Sequence, residues 1–353
     1  MRKRGNMVRR KLVPVTRTTG LGPLPKMVID AVGEHILQRA FQAHDIGFGA
    51  AEQTNLFVPH TAMLGIFERT ARHVGARDFG LRVGERMPYP SYGPWAQYCG
   101  SAPTLGEAIN RMCDAVRFQQ TGAVVTLERE GSHAVVRHYP HTLNVPHRQH
   151  SDHLLFPLLH FTRTYLGSEW RPAWFELNYP RDANANEIES RLPSPVRFGT
   201  RAIGIAMPVT TLTAPRTAPH RSVTLSEIES EDPVQFFDEP LRSIAALAML
   251  RLMEGKTDID GTARLAGISA RTLQRSLSDE GLSYRALLDH IRTRRAKQLL
   301  DQPGLTVTQV ALALGYSEHA NFTRAFTRWT GQSPLQFRLQ RRRRRGNGGP
   351  DTP

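Results

Sequence analysis

The chain has 353 residues, two cysteines, 40% apolar residues and a formal charge of +14. That length and apolar content suit two domains with buried cores plus tails, and two cysteines are too few for a disulfide framework. No stretch approaches the roughly 20 apolar residues of a membrane-spanning helix, and the basic start lacks the apolar run of a secretory signal. No membrane partner is expected, and a reduced cytoplasm, close to the nucleoid, is the expected location. The charge is unevenly placed: residues 1–17 carry +7, residues 257–353 carry +8, and the middle is nearly neutral at −1. Basic segments flanking a neutral middle match the footprint of phosphate binding.

In chain order, residues 1–24 read as a basic disordered tail, and residues 25–214 as an α+β domain. Helices are predicted over 26–43, 59–74 and 105–118, the last capped by Thr104 with Glu107 three residues on. Residues 123–130 and 133–139 alternate in polarity around Glu130-Gly131-Ser132 and predict a hairpin. A helix over 151–166 follows, which Pro157 should bend or split. A strand at 174–178, a helix at 185–192 and strands at 196–198 and 202–207 complete a small, mostly antiparallel sheet with packed helices.

Within this half, Trp95, Tyr98, Phe118 and Trp174 are candidates to line an effector pocket, against the simpler reading as core. His147, His150 and His153 fall at i, i+3 and i+6, so on a helix two could share a metal but three could not. They read as ordinary histidines; neither a metal nor a cofactor is expected. Asp78-Phe79-Gly80 echoes a kinase triplet by chance, since the glycine-rich loop, strand lysine and catalytic loop are missing. No nucleophile elbow, phosphate loop or credible acid/base pair supports catalysis, so the chain is not read as an enzyme.

Residues 215–239 read as a linker, Pro- and Thr-rich and then acidic. Residues 240–338 read as an all-α domain opening with an apolar helix over 241–253, behind Pro240. Inside it one short pattern occurs twice. Ala266-Gly267-Ile268-Ser269, then Leu273, Arg275 and Leu277, match Leu314-Gly315-Tyr316-Ser317, then Phe322, Arg324 and Phe326. Each copy reads as helix, glycine stop, serine cap and second helix, with the i,i+4 apolar pair turned inward. The outward face carries Ser269, Arg271, Thr272, Gln274, Arg275 and Ser278 in the first copy. In the second it carries Ser317, His319, Asn321, Thr323 and Arg324. Residues 284–301 between them predict one helix, roughly 27 Å long at 1.5 Å per residue, able to space two DNA-reading helices about one turn apart. Residues 339–353, with five consecutive arginines at 341–345, read as a second basic tail.

The run of residues 317–338, with Phe322-x-Arg324-x-Phe326, then Gly331-Gln332-Ser333-Pro334 and Phe337-Arg338, resembles the signature of AraC/XylS-type bacterial transcription regulators. Residues 269–281 are similar to that family's first recognition helix; Ala320 departs from it, where many members carry serine. Asp78 to Arg86, Ser101 to Ala108 and Pro195 to Gly199 resemble the sensing domain labelled "arabinose-binding" in a branch that includes an ornithine-utilisation regulator. The resemblance implies a promoter-binding regulator controlled by an unknown small-molecule effector, with RNA polymerase as a partner, a homodimer, and activation rather than repression. Two alternatives stand beside it: a metabolite-binding or catalytic front domain with secondary DNA binding, and a general nucleic-acid binder driven by the basic tails.

Overall fold

The computed structural model describes residues 13–53, 56–140, 145–183, 185–217, 221–232 and 234–346. The chain divides after Asp232 into two compact units.

The N-terminal unit opens with strand β1 (Val15–Arg17), paired antiparallel with β2 (Phe57–Pro59). Residues 13–24 were expected in a disordered tail. Instead Val13, Val15, Leu21 and Leu24 are buried, and four apolar side chains within twelve residues explain why this segment folds onto the unit. Residues 1–12 of that expected tail lie outside the described residues. Helices α1 (Leu24–Val32) and α2 (Glu34–Gln42) replace the single predicted helix, because Gly33 at φ 89° breaks it. Then come α3 (His60–Val74), α4 (Phe79–Glu85), α5 (Pro94–Gly100) and α6 (Leu105–Ala115), the last capped by Thr104 as expected.

The hairpin β3 (Val124–Glu130) and β4 (His133–Tyr139) leads to helix α7 (Arg148–Leu166), strand β5 (Phe175–Leu177), helix α8 (Ala185–Arg191) and strands β6 (Val196–Phe198) and β7 (Ile203–Pro208). The sheet order is β3-β4-β7-β5-β6, antiparallel except for the parallel β5–β6 pair. The segment expected as linker contains helix α9 (Leu225–Glu231), closed by a capping box between Thr224 and Glu227. Val223 and Ile228 bury their side chains in the core of this unit.

Two features of α7 answer questions the sequence raised. It runs unbroken through Pro157, whose missing N–H frees the carbonyl of His153 four residues earlier. That oxygen faces α4, where a Cβ on Gly84 would stand 2.2 Å from it; at Gly80 a Cβ would stand 1.9 Å from the Gln149 oxygen. Gly80 of the Asp78-Phe79-Gly80 triplet and Gly84 therefore let α4 lie directly on the α7 backbone, which is a packing role.

The second unit is helical among its described residues: α10 (Leu241–Met253), α11 (Ile259–Leu265), α12 (Ala270–Ser278), α13 (Tyr284–Leu300), α14 (Val307–Ala313), α15 (His319–Thr330) and α16 (Pro334–Gly346). Helix α16 continues to Gly346, so the expected second tail is helical over residues 339–346. Gly267 and Gly315 stop α11 and α14 at φ 62° and 77°, the left-handed backbone that glycine adopts without steric cost. Phe322 and Phe326 pack with Leu300, Val310 and Leu314 in one cluster, while Leu273 and Leu277 are buried in the first copy.

Candidate nucleic-acid interface and buried cavity

Helices α12 and α15 are the second helices of the two repeats, and each divides cleanly. The i,i+4 pairs Leu273/Leu277 and Phe322/Phe326 are at most 1% exposed. Ser269, Arg271, Gln274, Arg275 and Ser278 are exposed on the first copy, with Thr272 half-buried. On the second, Ser317, His319 and Arg324 are exposed, and Asn321 and Thr323 half-buried. Two details differ between the copies. Ser269 caps α12, accepting from the Thr272 amide at 3.1 Å, whereas Glu318, not Ser317, precedes α15 and makes no side-chain cap. The expected serine cap is therefore present in the first copy alone. Arg324 donates to the Asn321 side-chain oxygen, so these two candidates form a pair on the helix surface.

Helix α13 is fastened to both repeats. At its start Ser283 accepts from the Ala286 amide, and the Tyr284 hydroxyl reaches Thr262 Oγ1 at 2.7 Å and the Asp258 carbonyl at 3.3 Å, at the opening of α11. Further along, Asp289 lies 3.5 Å from the Arg328 guanidinium, and Arg292 stands 5.1 Å from the Tyr316 ring centre. At its end the Leu300 carbonyl accepts from Arg338. Seventeen residues give a rod of roughly 25 Å at 1.5 Å each, tied at both ends to a repeat.

The N-terminal unit holds a partly open cavity of about 60 Å³. Its walls come from β1, the segment around residues 89–95, α6, β3, β4 and α7. Of the four aromatic candidates, Trp95 lines it. Tyr98 sits under Arg111, at 4.9 Å, and Phe118 under Arg117, at 5.0 Å. Trp174 packs with Val135 and Ala206 on the opposite side of the sheet from Val136, where Arg197 stacks 3.6 Å from its ring and its indole N–H donates to Glu176. Those three are packing residues in this fold. The wall residues not anticipated include Tyr89, Tyr92, His138, His150 and Leu154. His138 was legible: it shares the strand phase of Ala134 and Val136, both of which face the core.

Of the three histidines spaced by three, His150 and His153 stand with ring centres 5.9 Å apart, and His147 stands apart from that pair. His147 precedes α7 and pairs with the Val145 carbonyl, His150 packs edge-on against His60 and Phe67, and His153 meets the Tyr92 hydroxyl at 3.1 Å. Among the described residues no three His, Cys, Asp or Glu side chains are grouped to hold a metal ion, and no helix is long and apolar enough to cross a membrane.

Comparison with known proteins agrees with this arrangement. Residues 36–215 match the family model described as the arabinose-binding domain of AraC transcription regulators, and residues 262–340 match a helix-turn-helix domain model. The chain is 26% identical over 301 residues to the HTH-type transcriptional regulator VirS of Mycobacterium tuberculosis, covering 83% of this chain and 88% of that one. It is 41% identical over 81 residues to the ornithine utilization regulator of Pseudomonas aeruginosa, 23% of this chain and 24% of that one. The crystal structure of the transcriptional regulator CdpR from Pseudomonas aeruginosa covers 74% of this chain and 86% of its own, at 24% identity and a TM-score of 0.35. The chain belongs to the AraC-type transcription regulators, DNA-binding proteins that join an arabinose-binding-type N-terminal domain to a helix-turn-helix domain.

Proposed function

We propose that α12 and α15 enter successive major grooves of promoter DNA, and that a small molecule held in the N-terminal cavity controls this binding. The observation that carries the reading is the matched pair of exposed polar helix faces, each backed by a buried apolar pair and both tied to one rod. Arg275 and Arg324 occupy equivalent positions and contact guanine or phosphate; Gln274 and Asn321 offer adenine a bidentate partner. Arg271, Thr272, Ser317 and His319, near the helix starts, with Ser278 and Thr323, complete the contact set. The protein acts in the cytoplasm as an activator, contacts RNA polymerase and pairs as a homodimer in this reading, and it has no catalytic step.

Selection of bound sequences from a random DNA pool by the full chain tests it. The expected result is two conserved blocks centred about 10 base pairs apart, the spacing of one helical turn. The preference should survive removal of residues 1–12 together with neutralisation of residues 342–345. Enrichment of no sequence, or a preference lost with the basic segments, would leave only general phosphate binding.

A further inference from the structure

Resting on the reading that the N-terminal unit holds an effector, we propose that its cavity takes a compact, uncharged, aromatic molecule bearing one to three hydrogen-bonding groups. A sugar or an amino acid does not suit it, despite the label of the domain.

The walls carry the argument. Among the described residues lining the cavity there is no Lys, Arg, Asp or Glu. An amino acid brings a carboxylate and an ammonium, and burying either without a counter-charge is strongly unfavourable. The two lining histidines supply no charge, because burial pushes His138 down to about 4 and holds His150 well below an ordinary imidazole.

A sugar fails for a different reason. Each of its hydroxyls needs a partner once it leaves water, and most of the polar side chains here are already engaged. Thr16 donates to the Gln119 carbonyl, the Gln119 side chain accepts from Thr19, and Gln120 lies 3.3 Å from His60. What remains is narrow: the Tyr89 hydroxyl, the Trp95 indole N–H and His138 Nδ1 are buried without a hydrogen-bond partner among the described residues. Three open polar positions suit one to three polar groups, fewer than the hydroxyls and ring oxygen a sugar brings.

Shape points the same way. Tyr89, Tyr92 and Trp95 stand with ring centres 6.0 to 6.1 Å apart, forming one aromatic wall, and Leu154, Leu158 and Val125 stand among the remaining lining residues. Such a wall favours offset or edge contacts with a flat ring. The enclosed room is about 60 Å³, less than the roughly 150 Å³ that holds a whole benzene, so a ring seats against this wall with part of it in the open mouth of the cavity.

The test is calorimetric titration of the full chain with three probes that share a ring and differ in charge: benzyl alcohol, benzoate and benzylammonium. L-arabinose and L-ornithine are added as separate probes. Benzyl alcohol should bind saturably, at a millimolar constant or tighter for a ligand of its size. It should bind at least about tenfold more tightly than either ion, the sugar or the amino acid. Leu154→Trp, which fills the cavity from a half-buried position, should abolish that binding. Trp95→Phe keeps an aromatic ring and removes the N–H, so it should weaken benzyl alcohol several-fold more than it weakens toluene. If benzoate, ornithine or arabinose binds as well and Leu154→Trp removes it, the ligand class is wrong while the cavity stands as the effector site. If benzyl alcohol binds unchanged to both variants, the cavity is not the site and both readings fall. Absence of any saturable binding by benzyl alcohol overturns the ligand class.

Discussion

Arg275→Ala separates base reading from phosphate attraction. The Arg275 side chain is exposed on α12, and its loss leaves Leu273 and Leu277 buried and the Ser269 cap in place. Alanine is also the better helix former, so stability should move by less than about 0.5 kcal/mol. A bidentate arginine–guanine contact contributes roughly 1–3 kcal/mol of discrimination, so affinity for the selected site should fall about 5- to 150-fold. Random DNA should lose far less. The assay is a fluorescence-anisotropy titration on both duplexes at several salt concentrations. A base-reading arginine leaves the salt slope on selected DNA nearly unchanged, whereas a lost phosphate contact reduces it by roughly 0.9. Equal losses on both duplexes, with that change in slope, would refute base reading by Arg275.

Three further outcomes are expected. Phe322→Ala removes a fully buried ring that stands 5.6 Å from Phe326 and 5.8 Å from Tyr316, and should cost the C-terminal unit about 3–5 kcal/mol. Calorimetry should show that unit melting earlier and sequence-specific binding lost; an unchanged melting profile would contradict the core described here. Thr306→Ala breaks the capping box with Gln309, whose two bonds measure 2.8 and 3.1 Å, and should lower stability by about 1 kcal/mol in a denaturant titration. The third is a pH dependence. Burial holds His153 near 3, His138 near 4 and His150 well below an ordinary imidazole, so the unfolded chain takes up three protons there that the folded chain refuses as pH falls below about 6.5. Asp152, pushed up to about 6 by burial, acts in the opposite sense, binding a proton in the folded state first. The net of about two protons means the N-terminal unit loses roughly 2.7 kcal/mol per pH unit between pH 6 and 4. A melting temperature that stays flat or rises on acidification over that range would contradict the burial of these histidines.

Much of the C-terminal unit was legible because its information is local. Helix ends are written in glycines and caps, and helix faces in the i,i+4 spacing of Leu273/Leu277 and Phe322/Phe326. The exception is instructive: Ser317 matches Ser269 in the pattern, yet α15 begins one residue later, after Glu318. Sequence similarity between the copies does not fix the residue at which each helix begins. In the N-terminal unit the β3–β4 hairpin was read to within a residue, because alternation and a Glu-Gly-Ser turn are also local signals.

What the sequence by itself determined was therefore the pair of matched helices, their exposed residues, the helix between them and the resemblance that names the family. Only the tertiary structure decided which aromatic residues meet. Trp95 lines the cavity, while Trp174 lies on the far side of the sheet and Tyr98 and Phe118 serve packing. It also decided that the glycines after Asp78 seat α4 on α7 and that residues 13–24 and 225–231 join the core. The physical reason is common to all of these. A helix face or turn is set by neighbours three or four residues away, whereas a cavity is closed by β1, α6, β4 and α7, elements spread from residue 15 to residue 166 whose meeting depends on packing the whole unit.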